Sequence, residues 1–184
     1  MAENVKVGII GAMDSEVALL KSRVEGEQTH ELAGLEFVEG MLEGVSVVVV
    51  KCGVGKVNAA MCAQALVSVL GCNRIINTGV AGSLDNRIEI GDIVVSTDAV
   101  EHDMDVTALG YAPGEHPDLH LVAFEADTAL RSAVVVAAGE LDGVNVFEGR
   151  VCSGDQFIGS AAAKERIVST FGGMCCEMDG TAIA

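Results

Sequence analysis

The fold class is decided near the N-terminus by the stretch VKVGIIG, residues 5–11. The run is short, apolar and rich in β-branched residues, and Gly11 closes it, which predicts a buried strand over residues 5–10. A polar segment follows at once, in which Asp14 or Ser15 can cap a helix that continues to residue 23. A buried strand that turns directly into a helix is typical of the opening unit of an α/β sheet.

The same alternation of strands and helices continues along the chain. Strand-length apolar runs lie at residues 35–41, 45–51, 74–77, 92–96, 144–152 and 174–178, and helical spacing is found at 56–70, 126–141 and 161–169. The first two runs flank Glu43-Gly44, which predicts a β-hairpin. The one loop rich in Pro, Gly and His, 109–120, is too short to separate domains. We therefore predict a single α/β domain over residues 1–184, with right-handed crossover connections.

The charge and cysteine content exclude several classes of protein. The 184 residues include 27 Asp+Glu against 11 Lys+Arg, a net charge of −16, which argues against a nucleic-acid binder or a binder of anionic membranes. The apolar runs are far shorter than the roughly 20 residues that cross a bilayer. The six cysteines have apolar neighbours and no CxxC spacing, which indicates buried reduced thiols and a cytoplasmic protein.

Two motifs that could suggest a nucleotide or a metal lack the required residues. The segment GVGK, residues 53–56, looks like the end of a phosphate-binding P-loop, but Val50 stands where the first glycine is needed and Val57 replaces the hydroxyl residue. The pair His102-Asp103 stands at a strand end, where neighbouring side chains point in opposite directions, so a structural cluster is favoured over a metal site. We predict no metal and no organic cofactor.

Three loops that follow predicted strands carry the candidate binding residues. They are residues 11–16, 77–83 and 153–158. Ligands of open α/β sheets bind beyond the carboxyl ends of the strands, where such loops meet. Small residues at Gly79, Ala81 and Gly82 allow a ligand to approach the backbone closely. Phe157 is one of five Phe and one Tyr in the chain, and its ring can stack on a flat ligand.

Motifs along nearly the whole chain resemble, in order, those of one enzyme family. They are Val7-Gly8-Ile9-Ile10-Gly11-Ala12-Met13 with Glu16, the segment 51–57, Ile76-Asn77-Thr78-Gly79, Gly91-Asp92-Ile93-Val94-Val95-Ser96, His102-Asp103 with Asp105-Val106-Thr107, Ser153-Gly154-Asp155, Glu177-Met178 and Thr181-Ala182-Ile183-Ala184. This pattern resembles the 5′-methylthioadenosine/S-adenosylhomocysteine nucleosidases of the purine nucleoside phosphorylase/uridine phosphorylase superfamily. The resemblance implies a three-layer α/β/α sandwich around a mixed, mostly parallel twisted sheet. It also implies hydrolysis of the N-glycosidic bond of these nucleosides to adenine and a thioribose product.

The resemblance also implies roles for individual residues. Glu16 would be the general base that deprotonates the attacking water, while carboxylates near the sugar stabilise the positive charge that develops on it. Met178 and Asp179 would hold the ribose hydroxyls, with Glu177 as the alternative carboxylate. The substrate-binding residues implied in this way are Ala81, Gly82, Phe157, Ile158, Met178 and Asp179, of which Phe157 and the Ile158 backbone would hold adenine.

The first loop separates hydrolysis from phosphorolysis. It carries Asp14 and Glu16 and no Arg, so it would repel a phosphate dianion. Asn77 stands where the phosphorylases tend to have Arg. Water is therefore the predicted nucleophile. Two alternatives stay open: a futalosine-type or other purine nucleosidase, and a catalytically impaired nucleoside-binding protein.

The chain differs from the family pattern at two positions and in its length. Asp179 stands where the nucleosidases usually have Glu, one methylene longer, and Val80 stands where they usually have Ser. We expect the sequence to stop before the last strand and helix of the family, which carry the Asp that acts as general acid. The resemblance further implies a homodimer in which the loop around Leu109, Tyr111 and Pro117 closes the partner's site.

Overall fold

A computed structural model of the chain describes residues 5–184 and divides into two compact units. The first unit runs to Val80 and includes Ile183, and the second comprises Ala81–Ala182 and Ala184. Each unit has its own five-stranded mixed sheet with helices packed against it. The predicted α/β fold is therefore confirmed, with the strands divided between two sheets. That residues 1–184 form a single domain stays a prediction.

The first unit is built on a sheet with a parallel centre and an antiparallel flank. Its elements are β1 (Lys6–Gly11), α1 (Asp14–Lys21), β2 (Glu25–Leu32), β3 (Leu35–Leu42), β4 (Val45–Lys51), α2 (Lys56–Ser68) and β5 (Arg74–Asn77). The strand order is β2-β3-β4-β1-β5, in which β1 is parallel to both β4 and β5 and the other pairs are antiparallel. The carboxyl ends of β1, β4 and β5 therefore meet at one edge of the sheet.

Apolar side chains fill both faces of this sheet. Ile10 and Val50 are completely buried on one face, in a cluster with Leu66 of α2. Val49 points the other way and is buried in a second cluster with Val17 of α1. Because successive strand residues point to opposite faces, a run of β-branched residues can serve both clusters. Each such side chain contributes roughly 1.5–3 kcal/mol when it is fully buried.

The second unit has a parallel centre with one antiparallel strand on each edge. Its elements are β6 (Gly82–Ser83), β7 (Ile93–Glu101), a 3-10 turn (Thr107–Leu109), β8 (Ala123–Glu125), α3 (Thr128–Ala138), β9 (Val146–Ser153), α4 (Ala161–Phe171), β10 (Cys175–Glu177) and α5 (Gly180–Ile183). The strand order is β6-β10-β9-β7-β8. Among residues 5–184, no helix is long and apolar enough to cross a membrane.

The helices α3 and α4 begin at capping side chains. Asp127 accepts a hydrogen bond from the amide of Leu130 at 2.8 Å, and Ser160 accepts one from the amide of Ala163 at 3.2 Å. Gly172 ends α4 in the left-handed conformation, with φ of +69°. These signals place both helices within or close to the predicted segments 126–141 and 161–169.

The start of α1 differs from the prediction. Met13, and not Asp14 or Ser15, occupies the N-cap position. The amide of Met13 donates to the Glu16 carboxylate at 2.9 Å. Glu16 therefore accepts a hydrogen bond from an amide at the start of α1 that has no partner in the helix backbone. A capping Ser or Asp side chain is not needed.

Candidate active site

Glu16 lies in the first turn of α1, just beyond the carboxyl end of β1. Its Oε2 accepts hydrogen bonds from the amides of Ala12 (2.7 Å) and Met13 (2.9 Å), and its Oε1 accepts one from the amide of Val80 (3.0 Å). Of the roughly four lone-pair positions of a carboxylate, three are thus directed at backbone donors and one, on Oε1, is left for a further donor. These contacts fix the orientation of the side chain.

Two glycines let the backbone come this close to Glu16. A Cβ atom on Gly79 would lie 2.6 Å from Oε1 and 2.8 Å from Cδ of the glutamate. A Cβ atom on Gly11 would lie 2.7 Å from Val17 and 3.1 Å from Cβ of Glu16. Neither position can carry a side chain unless the carboxylate or the start of α1 shifts.

The charge of the first loop is partly neutralised at the surface. Asp14 is exposed and accepts a hydrogen bond from Nζ of Lys51 at 2.9 Å, an exposed pair of small energetic weight. Glu16, by contrast, occupies the backbone donors that an anion would use. A phosphate would have to displace the carboxylate from those donors and would be repelled by it.

The second unit brings the other predicted residues to one corner of its sheet. Gly82 in β6 pairs with Cys176 in β10, and the parallel strands β9 and β10 end at Ser153 and Glu177. The amide of Gly154 donates to the Glu177 carbonyl at 3.2 Å. The segments 81–82, 154–158 and 178–179 therefore lie next to the ends of three neighbouring strands.

The two residues predicted to hold adenine differ in their exposure. The Phe157 side chain is 91% exposed, so its ring is open to a planar ligand. Ile158 is half-buried against a cluster that includes Val100 and Ile167. Packing thus anchors the backbone of Ile158 while the neighbouring ring stays accessible.

His102 and Asp103 pack against the start of this loop. Oδ2 of Asp103 accepts a hydrogen bond from the amide of Asp155 at 2.8 Å. A Cβ atom on Gly154 would lie 2.5 Å from Nε2 of His102 and 2.9 Å from Cγ of Asp103. The prediction that these two side chains point in opposite directions is wrong, because β7 ends at Glu101 and both residues lie in a turn. Within the described part of the chain, no group of three or more His, Cys, Asp or Glu side chains is placed to hold a metal ion.

Met178 and Asp179 form the bend between β10 and α5. Met178 is half-buried, and Asp179 is only 8% exposed. Glu177, the alternative carboxylate, has other partners: its Oε1 accepts from the Ser153 hydroxyl, and its Oε2 accepts from the amides of Asp179 (2.9 Å) and Gly180 (2.7 Å). These contacts give Glu177 a place within the bend. The ribose-binding role of Asp179 stays a prediction.

The loop expected at a partner's site presents an apolar side chain to solvent. Leu109 is 75% exposed, whereas Tyr111 and Pro117 are half-buried. The Tyr111 ring stacks on His120, with 6.2 Å between the ring centroids. This contact orders the loop, and the exposed leucine lies just before it in the chain.

Sequence reasoning did not anticipate three of these contacts. The sequence predicts room for a ligand at Gly79, whereas the structure shows that its missing side chain leaves room for Glu16. Asp103 stands in the His102-Asp103 pair and Ser153 in the loop 153–158, and neither pattern indicated the contact that the structure shows. Their signal was the position at the end of a predicted strand, where polar side chains meet the neighbouring strand ends.

Comparisons with known proteins place the chain in a family. A model of the phosphorylase superfamily matches residues 6–184. The 5′-methylthioadenosine/S-adenosylhomocysteine nucleosidase of Geobacillus kaustophilus is 43% identical over 181 residues, which are 98% of this chain and 77% of that protein. The crystal structure of the nucleosidase of the same name from Colwellia psychrerythraea, in complex with adenine, has a TM-score of 0.93 and 36% identity, covering 98% of this chain and 75% of that one. A futalosine hydrolase mutant of Helicobacter pylori has a TM-score of 0.89 and 30% identity, covering 97% and 81%.

The match to the family model, together with the fold and the loops at the strand ends, defines the chain as a member of the phosphorylase superfamily. Within that superfamily, the chain belongs to the family of 5′-methylthioadenosine/S-adenosylhomocysteine nucleosidases. The family inferred from the sequence motifs is therefore confirmed.

Proposed function

We propose that the chain hydrolyses the N-glycosidic bond of 5′-methylthioadenosine and S-adenosylhomocysteine, releasing adenine and a thioribose product. The observation that carries the proposal is the Glu16 carboxylate, held by the amides of Ala12, Met13 and Val80. The family relationship supports this choice of substrates, because the Geobacillus relative bears that name and the Colwellia structure contains adenine.

Glu16 supports water as the nucleophile. The lone pair left on Oε1 can accept a proton from a water as the water oxygen bonds to C1′ of the ribose. The electrons of the broken bond leave with adenine, which takes up a proton from solvent water, and the sugar carries positive charge in the transition state. Occupation of the nearby backbone donors by a carboxylate disfavours a phosphate nucleophile at this position.

Binding is proposed to rest on residues of the second unit. The exposed ring of Phe157 and the anchored backbone of Ile158 would hold adenine, with Ala81 and Gly82 lining the site. Met178 and the buried Asp179 would hold the ribose hydroxyls. Asp179 is shorter than the Glu usual in the family, so we propose slower turnover than in relatives with Glu.

The general-base role is tested with Glu16→Gln. We expect adenine release from 5′-methylthioadenosine to fall by roughly 10²- to 10⁴-fold, while the affinity for adenine changes little. Asp14→Asn, which alters an exposed carboxylate in the same helical turn, serves as the control and should retain activity. Activity of Glu16→Gln at the wild-type level would remove Glu16 from this role.

A second candidate function is favoured by the similarity to the Helicobacter futalosine hydrolase. Side-by-side assays with 5′-methylthioadenosine, S-adenosylhomocysteine, futalosine and inosine decide between the two. Release of adenine from the first two supports our proposal. Release of hypoxanthine-type bases alone would support the alternative, and binding without turnover would indicate a nucleoside-binding protein.

We further propose a cytoplasmic homodimer in which the loop around Leu109, Tyr111 and Pro117 reaches the partner's site. The exposure of Leu109 supports the dimer. The six cysteines, all of them buried free thiols, support the cytoplasmic location. Sedimentation of the wild type and of Leu109→Asp tests the dimer, and we expect the variant to dissociate or to lose activity. Leu141→Asp changes an exposed leucine outside this loop and should leave both unchanged.

A further inference from the structure

Ser153 and Glu177 form a hydrogen-bonded pair at the ends of the neighbouring strands β9 and β10. Ser153 is completely buried, and its hydroxyl donates to Oε1 of Glu177. The same hydroxyl oxygen accepts from the amide of Thr181 at 2.8 Å. The parallel register places the two residues directly opposite each other. The pair therefore connects the end of each strand to the first turn of α5.

The second oxygen of Glu177 holds the backbone of the bend. Oε2 accepts from the amide of Asp179 at 2.9 Å and from the amide of Gly180 at 2.7 Å. Together with Thr181, three consecutive amides of the segment 179–181 are bound by this one pair of side chains. Such amides at the start of a helix have no partner within the helix and are costly to leave unsatisfied when buried.

We infer that Ser153 and Glu177 are positioning residues, which act through Asp179 and set the affinity of the site for ribose hydroxyls. The inference rests on the proposed function, because it takes Asp179 as the ribose-binding carboxylate. The hydrogen bond from its amide to Glu177 fixes the backbone of Asp179. The side chain that carries the Asp179 carboxylate therefore starts from a defined position. Charge-assisted hydrogen bonds such as those to Glu177 are short and directional, which suits a group that must hold its neighbour to within a fraction of an ångström.

The hydrogen bonds of Glu177 predict different effects for its replacement by glutamine and by alanine. Glu177 accepts three hydrogen bonds with two oxygens, and an amide in its place has only one accepting oxygen. In Glu177→Gln, that oxygen can still serve the two backbone amides while its NH₂ group faces Ser153. Glu177→Ala removes every acceptor. The expected order of effects is therefore wild type, then Gln, then Ala.

The test measures recognition of the ribose hydroxyls without relying on turnover. The probes are adenine, a 5′-methylthio C-nucleoside whose base is joined by a stable carbon–carbon bond, and the 2′,3′-dideoxy form of that C-nucleoside. Dissociation constants are measured by calorimetry for the wild type, Ser153→Ala, Glu177→Gln and Glu177→Ala. The preference of the protein for the ribose form over the dideoxy form should fall about tenfold in both Ala variants, and less in Glu177→Gln. The affinity for adenine should change less than about twofold.

Asp98→Asn is the matched control for loss of stability. Asp98 is another partly buried carboxylate of the second unit, and it is paired with Arg150 through Nε at 2.8 Å and Nη2 at 2.6 Å. Its substitution should lower the melting temperature and leave the preference for the ribose form unchanged. A preference that is intact in both Ala variants would overturn the inference. So would an equal loss of affinity for adenine and the nucleoside.

The test also separates this inference from the proposed function. If the wild type binds the ribose form preferentially but releases no adenine from 5′-methylthioadenosine, the catalytic proposal fails. The positioning role is then decided by the affinities of the Ser153 and Glu177 variants. If the wild type shows no preference for the ribose form, Asp179 is not a ribose ligand and the inference is overturned with it.

Discussion

At the scale of single residues, the carboxylate of Glu16, the proposed general base, depends on a position that has no side chain. Gly79 allows the amide of Val80 to reach Glu16, because a Cβ atom there would overlap the carboxylate. The φ angle of Gly79 is not in the left-handed region, so an alanine can adopt the backbone conformation. The requirement for glycine is therefore one of space around Glu16.

We expect Gly79→Ala to fold normally and to lose activity. A Cβ atom 2.6 Å from Oε1 must push the Glu16 carboxylate aside, and a displacement near 1 Å costs roughly a hundredfold in rate. Steady-state kinetics should show the loss in kcat, with the melting temperature and the affinity for adenine close to wild type. Gly139→Ala, at the C-cap of α3, is the control and should be fully active. Normal kinetics in Gly79→Ala would mean that the carboxylate does not need its present orientation.

A second prediction concerns Glu39 of β3, which pairs with one side chain of β1 and one of β2. Its carboxylate pairs with Lys6 at 2.6 Å and with His30 at 2.9 Å, and its side chain is 28% exposed. The hydrogen bond from Lys6 holds the pKa of Glu39 below its usual value of 4.5, although burial acts in the opposite direction. The unfolded chain therefore binds this proton more tightly than the folded one, and acid removes stability.

We expect Glu39→Gln to be less stable than the wild type by about 1 kcal/mol at pH 7. The difference should persist above pH 4.5 and shrink as the pH falls from there through the lowered pKa of Glu39, because the wild type loses its ion pairs. Urea unfolding at pH 7 and at pH 3.5 measures it. Glu36→Gln removes the more exposed Lys21 pair and should change stability by only a few tenths of a kcal/mol at pH 7. A gap between wild type and Glu39→Gln that widens in acid would contradict the assignment.

At the scale of elements, the strands that carry their own apolar pattern could be predicted from the sequence and the others could not. β1, β4 and β5 lie within a residue of the predicted runs, because each places its own apolar side chains in or against the two buried clusters. β2 has the sequence EGEQTHEL and is mostly exposed, and it forms because it pairs with β3, with a register shift between Glu25 and Gln28. β6 and β8, of two and three residues, likewise exist only as edges of a sheet.

The same distinction holds for the candidate site residues. The strand-end loops could be predicted from position, since parallel strands end at one edge of the sheet, whereas the role of Glu16 was implied by the family resemblance. The contact between Glu16 and Val80 joins residues 64 positions apart, and that between Ser153 and Glu177 joins residues 24 apart. No local pattern encodes such pairs. The alternation of side chains along β10 did not indicate that Glu177 accepts hydrogen bonds from Ser153 and from the backbone of the bend at 179–180.

The turn between β2 and β3 can be improved. Ala33 and Gly34 both have positive φ, of 51° and 77°, as in the two-residue turns that favour Asn-Gly. Ala33→Asn should therefore stabilise the first unit by about 0.5 kcal/mol, because asparagine tolerates the left-handed region better than alanine. Ala33→Val is the opposite control and should destabilise it. Urea midpoints of the three proteins give the order, and a Val variant as stable as the wild type would show that the turn has a different conformation.

At the scale of the whole molecule, the cysteines can report how the two units unfold. They fall into two groups of three by unit: Cys52, Cys62 and Cys72 in the first, and Cys152, Cys175 and Cys176 in the second. All six are buried. Burial raises the pKa of Cys62, Cys152 and Cys175 to about 12. In the folded protein these thiols are therefore protonated and shielded from alkylating reagents.

A single domain predicts that all six thiols become reactive together. The boundary between the two units falls between Val80 and Ala81 in the sequence. Iodoacetamide labelling at pH 8 along a urea gradient, read peptide by peptide by mass spectrometry, should give one midpoint for both groups. That midpoint should coincide with the loss of circular dichroism, as expected for two-state unfolding. Separate midpoints for the two groups would show that the units unfold independently and would replace the single domain with two.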